Sequence, residues 1–417
     1  MQLGVVGDDG LVDSTVRFRV SETTATEVTL TVSGYDAAGS RWRSDGDYRL
    51  DGSGELVITD PDAPWTTMRF DDPGATPTTF EATDSQLDFT ATVFDGTESA
   101  SRTVRRIWGR DLASENLTGD GWELAVYRPH GHSGPLPAVV VLPGTMVSRT
   151  VTGTAALLAS HGYVTAVLYY TQRPGLPEHF VRIRTEAIAD GIAALSALSY
   201  VNSDAIAIHA ASVGVQTALA TMTKTGTKAK AVVVVAPSHV VFQSLRTDGP
   251  PEKASALTHA GVDLPYVPVR ADRLLPQLAV NLLRSKLFRG PTSTALATTK
   301  AYEGGLRDRT AVEAATIPVE EIDAPILAIA GTDDQCYPAA AMAKEIIDRR
   351  ARDAHCPSGD DQLVIYPRVG HFIRPPAAPT TVTRSPGLIG GGEPAAIAAA
   401  ERDAWTRILG FLLTHLS

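Results

Sequence analysis

The stretch Ile206-Ala-Ile-His-Ala-Ala-Ser-Val-Gly-Val-Gln216 runs an apolar segment straight into a serine. Small residues flank Ser212 at Ala210, Ala211 and Gly214, and a helix-forming run, Val215 to Met222, follows. Strand, sharp turn and helix in that order make a nucleophile elbow, written here A-x-S-x-G. The turn forces its serine into a strained backbone conformation. Side-chain bulk two residues to either side would strike the neighbouring strand or helix. It also lifts the hydroxyl clear of the sheet and aims the first helical N–H groups at whatever binds there. Ser212 is therefore the candidate nucleophile of an acyl-transfer enzyme, with the backbone N–H of Val213 as one oxyanion donor.

A nucleophilic serine needs a base, and the base needs an orienting acid. Ala324-Pro-Ile-Leu-Ala-Ile-Ala-Gly331-Thr-Asp-Asp334-Gln-Cys-Tyr-Pro338 is a short strand that ends in Gly-x-x-Asp before a helix. An acid at that strand end lies on the same edge of the sheet as the elbow. Asp334 is favoured over Asp333, because the three-residue offset from Gly331 turns its side chain back over the sheet. The plainer alternative is that both aspartates only cap the following helix. Leu363-Val-Ile-Tyr-Pro-Arg-Val-Gly370-His371 is a strand running into a loop, and His371 can reach the serine from there. The chain order Ser212, Asp334, His371 is that of α/β-hydrolases. The second oxyanion donor is expected in Pro143-Gly144-Thr145-Met146, from Thr145 or Met146.

Other candidates carry less. His209 ends the strand before the elbow and reads as a packed structural residue. His161 closes a helix, and His239 lies just past a strand end where it could line a pocket. No histidine pair has metal-ligand spacing, and Gly390-Gly-Gly-Glu393 lacks the lysine and preceding strand of a phosphate loop. No cofactor or metal is expected. Arg102, Arg105, Arg106 and Arg110 cluster in the linker between domains and could meet the phosphates of a carrier such as coenzyme A. A solvated strand edge is the ordinary reading of such a run. Arg149, Arg173 and Arg182 are similar candidates.

With 417 residues, 43% of them hydrophobic, the chain has length for two domains and material for a large core. A net charge of −10 argues against general nucleic-acid binding. Two cysteines make no disulfide framework. No basic-then-apolar leader opens the chain and no apolar run reaches membrane-spanning length, so a cytoplasmic protein without a membrane span is expected.

Residues 1–110 read as a small β-sandwich. Short alternating runs recur at Thr15–Val20, Glu27–Val32, Gly54–Thr59 and Leu87–Val93, separated by Gly, Asp and Pro clusters. Residues 111–417 alternate strands with helices, which predicts a mostly parallel sheet covered on both faces. Phe180–Leu198 is expected as one long helix. Between about 237 and 319 a Pro-rich segment and the amphipathic helix Asp272–Lys286 interrupt the alternation, and this insertion is read as a cap.

With these residues placed, the chain resembles the acyl-CoA thioesterase and bile acid-CoA:amino acid N-acyltransferase family. The resemblance lies in Gly10-Leu-Val-Asp13 leading into Val16–Val20, Leu168-Tyr-Tyr170, the segment from Tyr366 through His371 to Pro376, Gly391-Gly-Glu-Pro394, and Asp403-Ala-Trp405. It implies a β-sandwich joined to an α/β-hydrolase domain, and it puts the family triad on Ser212, Asp334 and His371. The family elbow usually begins with Gly where this chain has Ala210, and often follows the nucleophile with Lys or Leu where this one has Val213. The transferase branch uses cysteine as its nucleophile, so the serine here implies a hydrolase. The expected activity is hydrolysis of a coenzyme A- or carrier-bound acyl thioester through an acyl-serine. The alternatives are transfer of the acyl group to an amine or alcohol, cleavage of oxygen esters, and a non-catalytic binding protein with a vestigial triad.

Overall fold

A computed structural model describes residues 1–6, 10–144, 149–246, 249, 252–287 and 295–417. Its centre is an eight-stranded sheet built from residue 112 onward. The strands are β1 (Leu112–Gly119), β2 (Trp122–Pro129), β3 (Leu136–Leu142), β4 (Val164–Tyr169), β5 (Val201–Ala211), β6 (Ala231–Val235), β7 (Ile326–Gly331) and β8 (Gln362–Tyr366). Their spatial order is β8-β7-β6-β5-β3-β4-β2-β1. All pairs from β8 to β4 are parallel, and β2, antiparallel to both β4 and β1, is the one reversed strand of this sheet. With helices on both faces, this is the α/β-hydrolase fold.

The inner strands are apolar on both sides, as a covered parallel sheet requires. On β3, Ala138, Val140 and Leu142 face one cluster while Val139 and Val141 face the other. The first cluster is completed by helices α2 (Thr185–Ser196), α3 (Val213–Thr225) and α4 (Ala339–Arg352). The second takes α1 (Arg149–Ser160) and α5 (Pro394–Leu416), and it is continuous with the core of the N-terminal strands.

Those strands form a five-stranded antiparallel sheet, from Glu27–Tyr35 to Ser99–Ile107, with a two-stranded ribbon of Gln2–Val6 and Arg17–Ser21. Trp42, Trp65, Phe80, Phe89 and Trp108 pack edge-on or stacked inside it. Two long strands escaped the alternation test. Arg41–Arg49 is polar along most of its length and buries only Trp42 and Ser44, and Ser99–Ile107 buries only Val104 and Arg106. The expected strand Gly54–Thr59 is instead a turn, held by Asp51, whose carboxylate accepts from the N–H groups of Ser53 and Glu55. Its ladder pairing is limited to isolated bridges at Glu55 and Leu56.

The expected helix Phe180–Leu198 is shorter, Thr185–Ser196. Arg182 takes a left-handed φ of 51°, and Ile183 and Arg184 pair with Leu257 and Thr258 of the inserted segment. Tertiary pairing overrides helical spacing at that end. The insertion carries the helix Leu275–Leu287 and two short helices, Thr299–Gly305 and Arg309–Ala315. No helix among the described residues is long and apolar enough to cross a membrane.

Candidate active site

Ser212 sits at the carboxyl end of β5 with φ 55° and ψ −129°, a conformation a non-glycine residue adopts only under constraint. The constraint is visible. Its N–H donates to the carbonyl of Val235 on β6 at 2.9 Å, while α3 starts at the next residue. A Cβ on Gly214 would lie 2.6 Å from the carbonyl oxygens of both Leu142 and Pro143, so only glycine lets α3 approach β3 this closely. Ala210 is fully buried at the other side of the turn. The small residues in the elbow are there because backbone occupies the space.

The acid and the histidine follow the ends of β7 and β8. His371 Nδ1–H donates to Asp334 Oδ2 at 2.7 Å, and Ser212 Oγ–H donates to His371 Nε2 at 2.8 Å. The other oxygen of Asp334 accepts from the N–H groups of Cys336 and Tyr337, at 2.7 and 3.1 Å. Asp334 and His371 are both buried. Asp333, the competing acid, faces away. Its carboxylate accepts from the N–H of Gly392 at 2.8 Å and from the Gln335 side chain, and so organises the loop behind the histidine. That loop is tight. Gly391 has φ 79°, and a Cβ there would fall 2.2 Å from the carbonyl oxygen of Asp333. The carbonyl of Gly390 in turn accepts from the His371 N–H at 2.9 Å.

Val213 is the first residue of α3, so its N–H has no partner within the helix and opens beside the serine. Thr145 and Met146 lie outside the described residues. Gly144 just before them comes within reach of the elbow, where a Cβ would be 3.1 Å from that of Ser212.

Some residues at the site had no role in the sequence reading. Tyr337 is buried, sets its ring edge against His371 with centroids 5.0 Å apart, and donates its hydroxyl to the carbonyl of Ala236. Phe372 flanks the other side of the imidazole at 5.5 Å. The inserted segment clamps the acid loop, because the hydroxyls of Thr298 and Thr299 donate to the carbonyls of Cys336 and Asp334. The tyrosine's signal was its place in Asp-Asp-Gln-Cys-Tyr-Pro, but nothing in one sequence says where its ring turns.

Asp334, Cys336 and His371 also bring possible metal-binding atoms within 4.8 Å of one another. The donor set fits poorly. Both imidazole nitrogens already have partners, and burial holds the Cys336 thiol protonated, donating toward the carbonyl of Ile389. Metal ligation calls for a thiolate. The cluster suits a proton relay better.

A cavity of about 190 Å³ opens from Ser212 and His371 along the face of the sheet covered by α1 and α5. Thr78, Thr79 and Glu81, from the connection between the N-terminal strands Arg69–Phe70 and Gln86–Phe94, form part of its wall. Arg374, three residues after His371, ties these parts together. Its guanidinium donates to Glu401 on α5 at 3.2 Å, to the Phe80 carbonyl at 3.2 Å and to the Pro379 carbonyl at 3.0 Å. Glu401 is so deeply buried that its carboxyl is pushed up to about 7 despite this cation.

The arginines grouped in the sequence do not converge. Arg105 and Arg106 turn to opposite faces of their strand, as its period demands. Arg106 is buried over Trp65 and donates to the Val12 carbonyl, while Arg105 pairs with Asp88 outside. Arg173 stacks on Tyr169 and Arg182 pairs with Asp263. His161 pairs with Asp13. His239 is not in the wall of the cavity. His209, read as a packed residue, is.

A parallel sheet in hydrolase order, with serine, acid and histidine after its strands β5, β7 and β8, defines the chain as an α/β-hydrolase. Comparison with known proteins narrows this. The family pattern described as BAAT / Acyl-CoA thioester hydrolase C terminal matches residues 185–417, more than half of the chain, and the chain belongs to that family. Its relatives are enzymes. Acyl-coenzyme A amino acid N-acyltransferase 2 of Mus musculus is 24% identical over 335 residues, covering 79% of this chain and 72% of its own. Acyl-coenzyme A thioesterase 3 of Mus musculus is 25% identical over 306 residues, covering 70% of this chain and 61% of its own. Acyl-coenzyme A thioesterase 6 of Homo sapiens is 26% identical over 294 residues, covering 68% and 61%. The chain thus spans less than two thirds of the length of these thioesterases.

Proposed function

We propose that this chain hydrolyses acyl thioesters of coenzyme A or a related carrier through an acyl-serine intermediate. The observation that carries the reading is the unbroken relay from Ser212 Oγ to His371 to Asp334, at 2.8 and 2.7 Å, opening on a mainly apolar cavity. Ser212 Oγ attacks the thioester carbonyl carbon as its proton passes to His371 Nε2. The carbonyl oxygen takes up negative charge beside the Val213 N–H, and a second donor is expected from Thr145 or Met146. Collapse breaks the carbon–sulfur bond, and the imidazolium returns the proton to the departing thiolate. Water then attacks the ester carbonyl with His371 again as base, and Ser212 leaves protonated. Asp334 holds the imidazole in the tautomer both steps need.

Transfer of the acyl group to an amine is the second reading, favoured by the N-acyltransferase among the relatives. Pre-steady-state thiol release from an acyl-CoA tests the first. A burst of free thiol at the enzyme concentration, absent in Ser212→Ala, is the expected result. Turnover surviving in Ser212→Ala overturns the serine assignment. Free acid as the sole product in the presence of glycine or taurine separates hydrolysis from transfer.

A further inference from the structure

The cavity is lined by apolar side chains where the sheet and its two helices meet, among them Val141, Val235, Val151 and Ile408. One strand residue breaks the pattern. His209 lies three positions before Ser212 on β5, roughly 10 Å back along the strand at about 3.3 Å per residue. The pleat turns it, with Ala211, toward α1 and α5 and so into the cavity. Only 8% of its surface is exposed, and its Nδ1 has no hydrogen-bond partner. Burial lowers its pKa to about 4, so at neutral pH the ring is uncharged, with one nitrogen donating and the other accepting. Leaving a buried polar atom unmatched costs stability, and an aliphatic residue would fill the same place without that cost. A buried polar atom without a protein partner calls for an explanation, and where it lines a cavity a ligand can supply the missing partner.

We propose that His209 is a specificity-determining residue, and that its imidazole receives a hydroxyl carried on the acyl chain. The preferred substrate class is then a hydroxyacyl thioester whose hydroxyl lies several carbons from the carbonyl, rather than a plain fatty-acyl thioester. This rests on the acyl-serine reading above. A hydroxyl suits a neutral imidazole because it can serve either nitrogen. Thr78 and Thr79 also line the cavity. A pocket built to pair a substrate hydroxyl rejects the analogue that lacks it, because its own polar atom is then left bare.

The test compares 6-hydroxyhexanoyl-CoA and 8-hydroxyoctanoyl-CoA with hexanoyl-CoA and octanoyl-CoA. Wild type is expected to favour at least one hydroxylated chain by about tenfold or more in kcat/KM. His209→Leu should reverse that preference, and His209→Gln, which keeps a donor and an acceptor, should retain part of it. The same pairs are titrated by calorimetry against Ser212→Ala and Ser212→Ala/His209→Leu, which reads recognition without chemistry. A wild-type enzyme that cleaves none of the four thioesters sinks the acyl-thioester reading, while the binding ratios still decide this one. Equal wild-type preference for both classes, or a ratio that His209→Leu leaves unmoved in kinetics and binding alike, overturns the assignment of His209.

Discussion

His371 and His209 are buried to nearly the same degree and line one cavity, yet their surroundings are opposites. Every polar atom of the His371 ring is matched within the chain, by Asp334 on one side and Ser212 on the other. Aromatic edges from Tyr337 and Phe372 fix its plane. His209 has an unmatched nitrogen and apolar company. The first is machinery set before substrate arrives, which costs no reorganisation during reaction. The second is a vacancy in the hydrogen-bond pattern, and such vacancies mark where a ligand completes the protein. Neighbouring histidines can thus be sorted by their partners when exposure does not separate them.

The comparison can be broken at the matched end first. Ser212→Ala and His371→Ala should each lower kcat by roughly 10⁴-fold or more, and the double variant should cost little beyond either single one, because the pair acts as a unit. Additive losses in stopped-flow assays would mean that the two side chains act separately. Asp334→Asn keeps the shape but can present its amide N–H₂ to Nδ1, favouring the wrong tautomer. A loss of about 10³- to 10⁴-fold in kcat with little change in KM is expected. An Asp333→Asn variant matching it would transfer the orienting role to the other acid.

A smaller effect tests the elbow that feeds both ends. Gly214→Ala puts a Cβ 2.6 Å from two carbonyl oxygens, so α3 or β3 must move. A shift of that kind at the nucleophile should reduce kcat/KM by about 10²-fold. Activity within twofold of wild type would show that the elbow yields freely.

The smallest effect sharpens the unmatched end. The folded-state pKa of His209 is about 4 against an ordinary 6.5. The unfolded chain therefore binds this proton first, and stability is lost as pH falls from 6.5 toward 4. His209→Leu should remove that part of the acid loss, up to roughly 3 kcal/mol at the acid end. His239 is displaced the same way by burial and stays in both proteins, so the wild-type-minus-variant curve isolates His209. Parallel denaturation curves from pH 7 to 4 would mean that the ring takes up its proton equally in the folded and unfolded chain.

Much of the candidate site was legible because its constraints are steric and local. Ala210, Ser212 and Gly214 are small where backbone leaves no room, and Asp334 and His371 follow their strands at offsets any reader can count. What was illegible depends on direction and on distant pairing. A histidine at a strand end reads the same whether it faces core or cavity, so His209 passed for packing. Phe180 to Arg184 carry helical spacing, and only their pairing with the inserted segment, through Leu245, Leu257 and Thr258, turns them extended. Strand Arg41–Arg49 hides behind charged residues on its outer face. Of the arginines from 102 to 110, Arg102 and Arg105 are exposed on an edge strand, as the ordinary reading had it, and what a linear count could not show is that Arg106 turns inward.

Arg374 has a consequence for how this enzyme could change over time. Through its grip on the Phe80 carbonyl, the loop that bears the base is moored to the amino-terminal third of the chain, and Thr78 and Thr79 shape the chamber beside it. Neither half is a spare part. A graft of foreign strands in front of this hydrolase would remodel the chamber wall and loosen the base at one stroke, so selectivity and turnover should drift together among descendants that exchange that region.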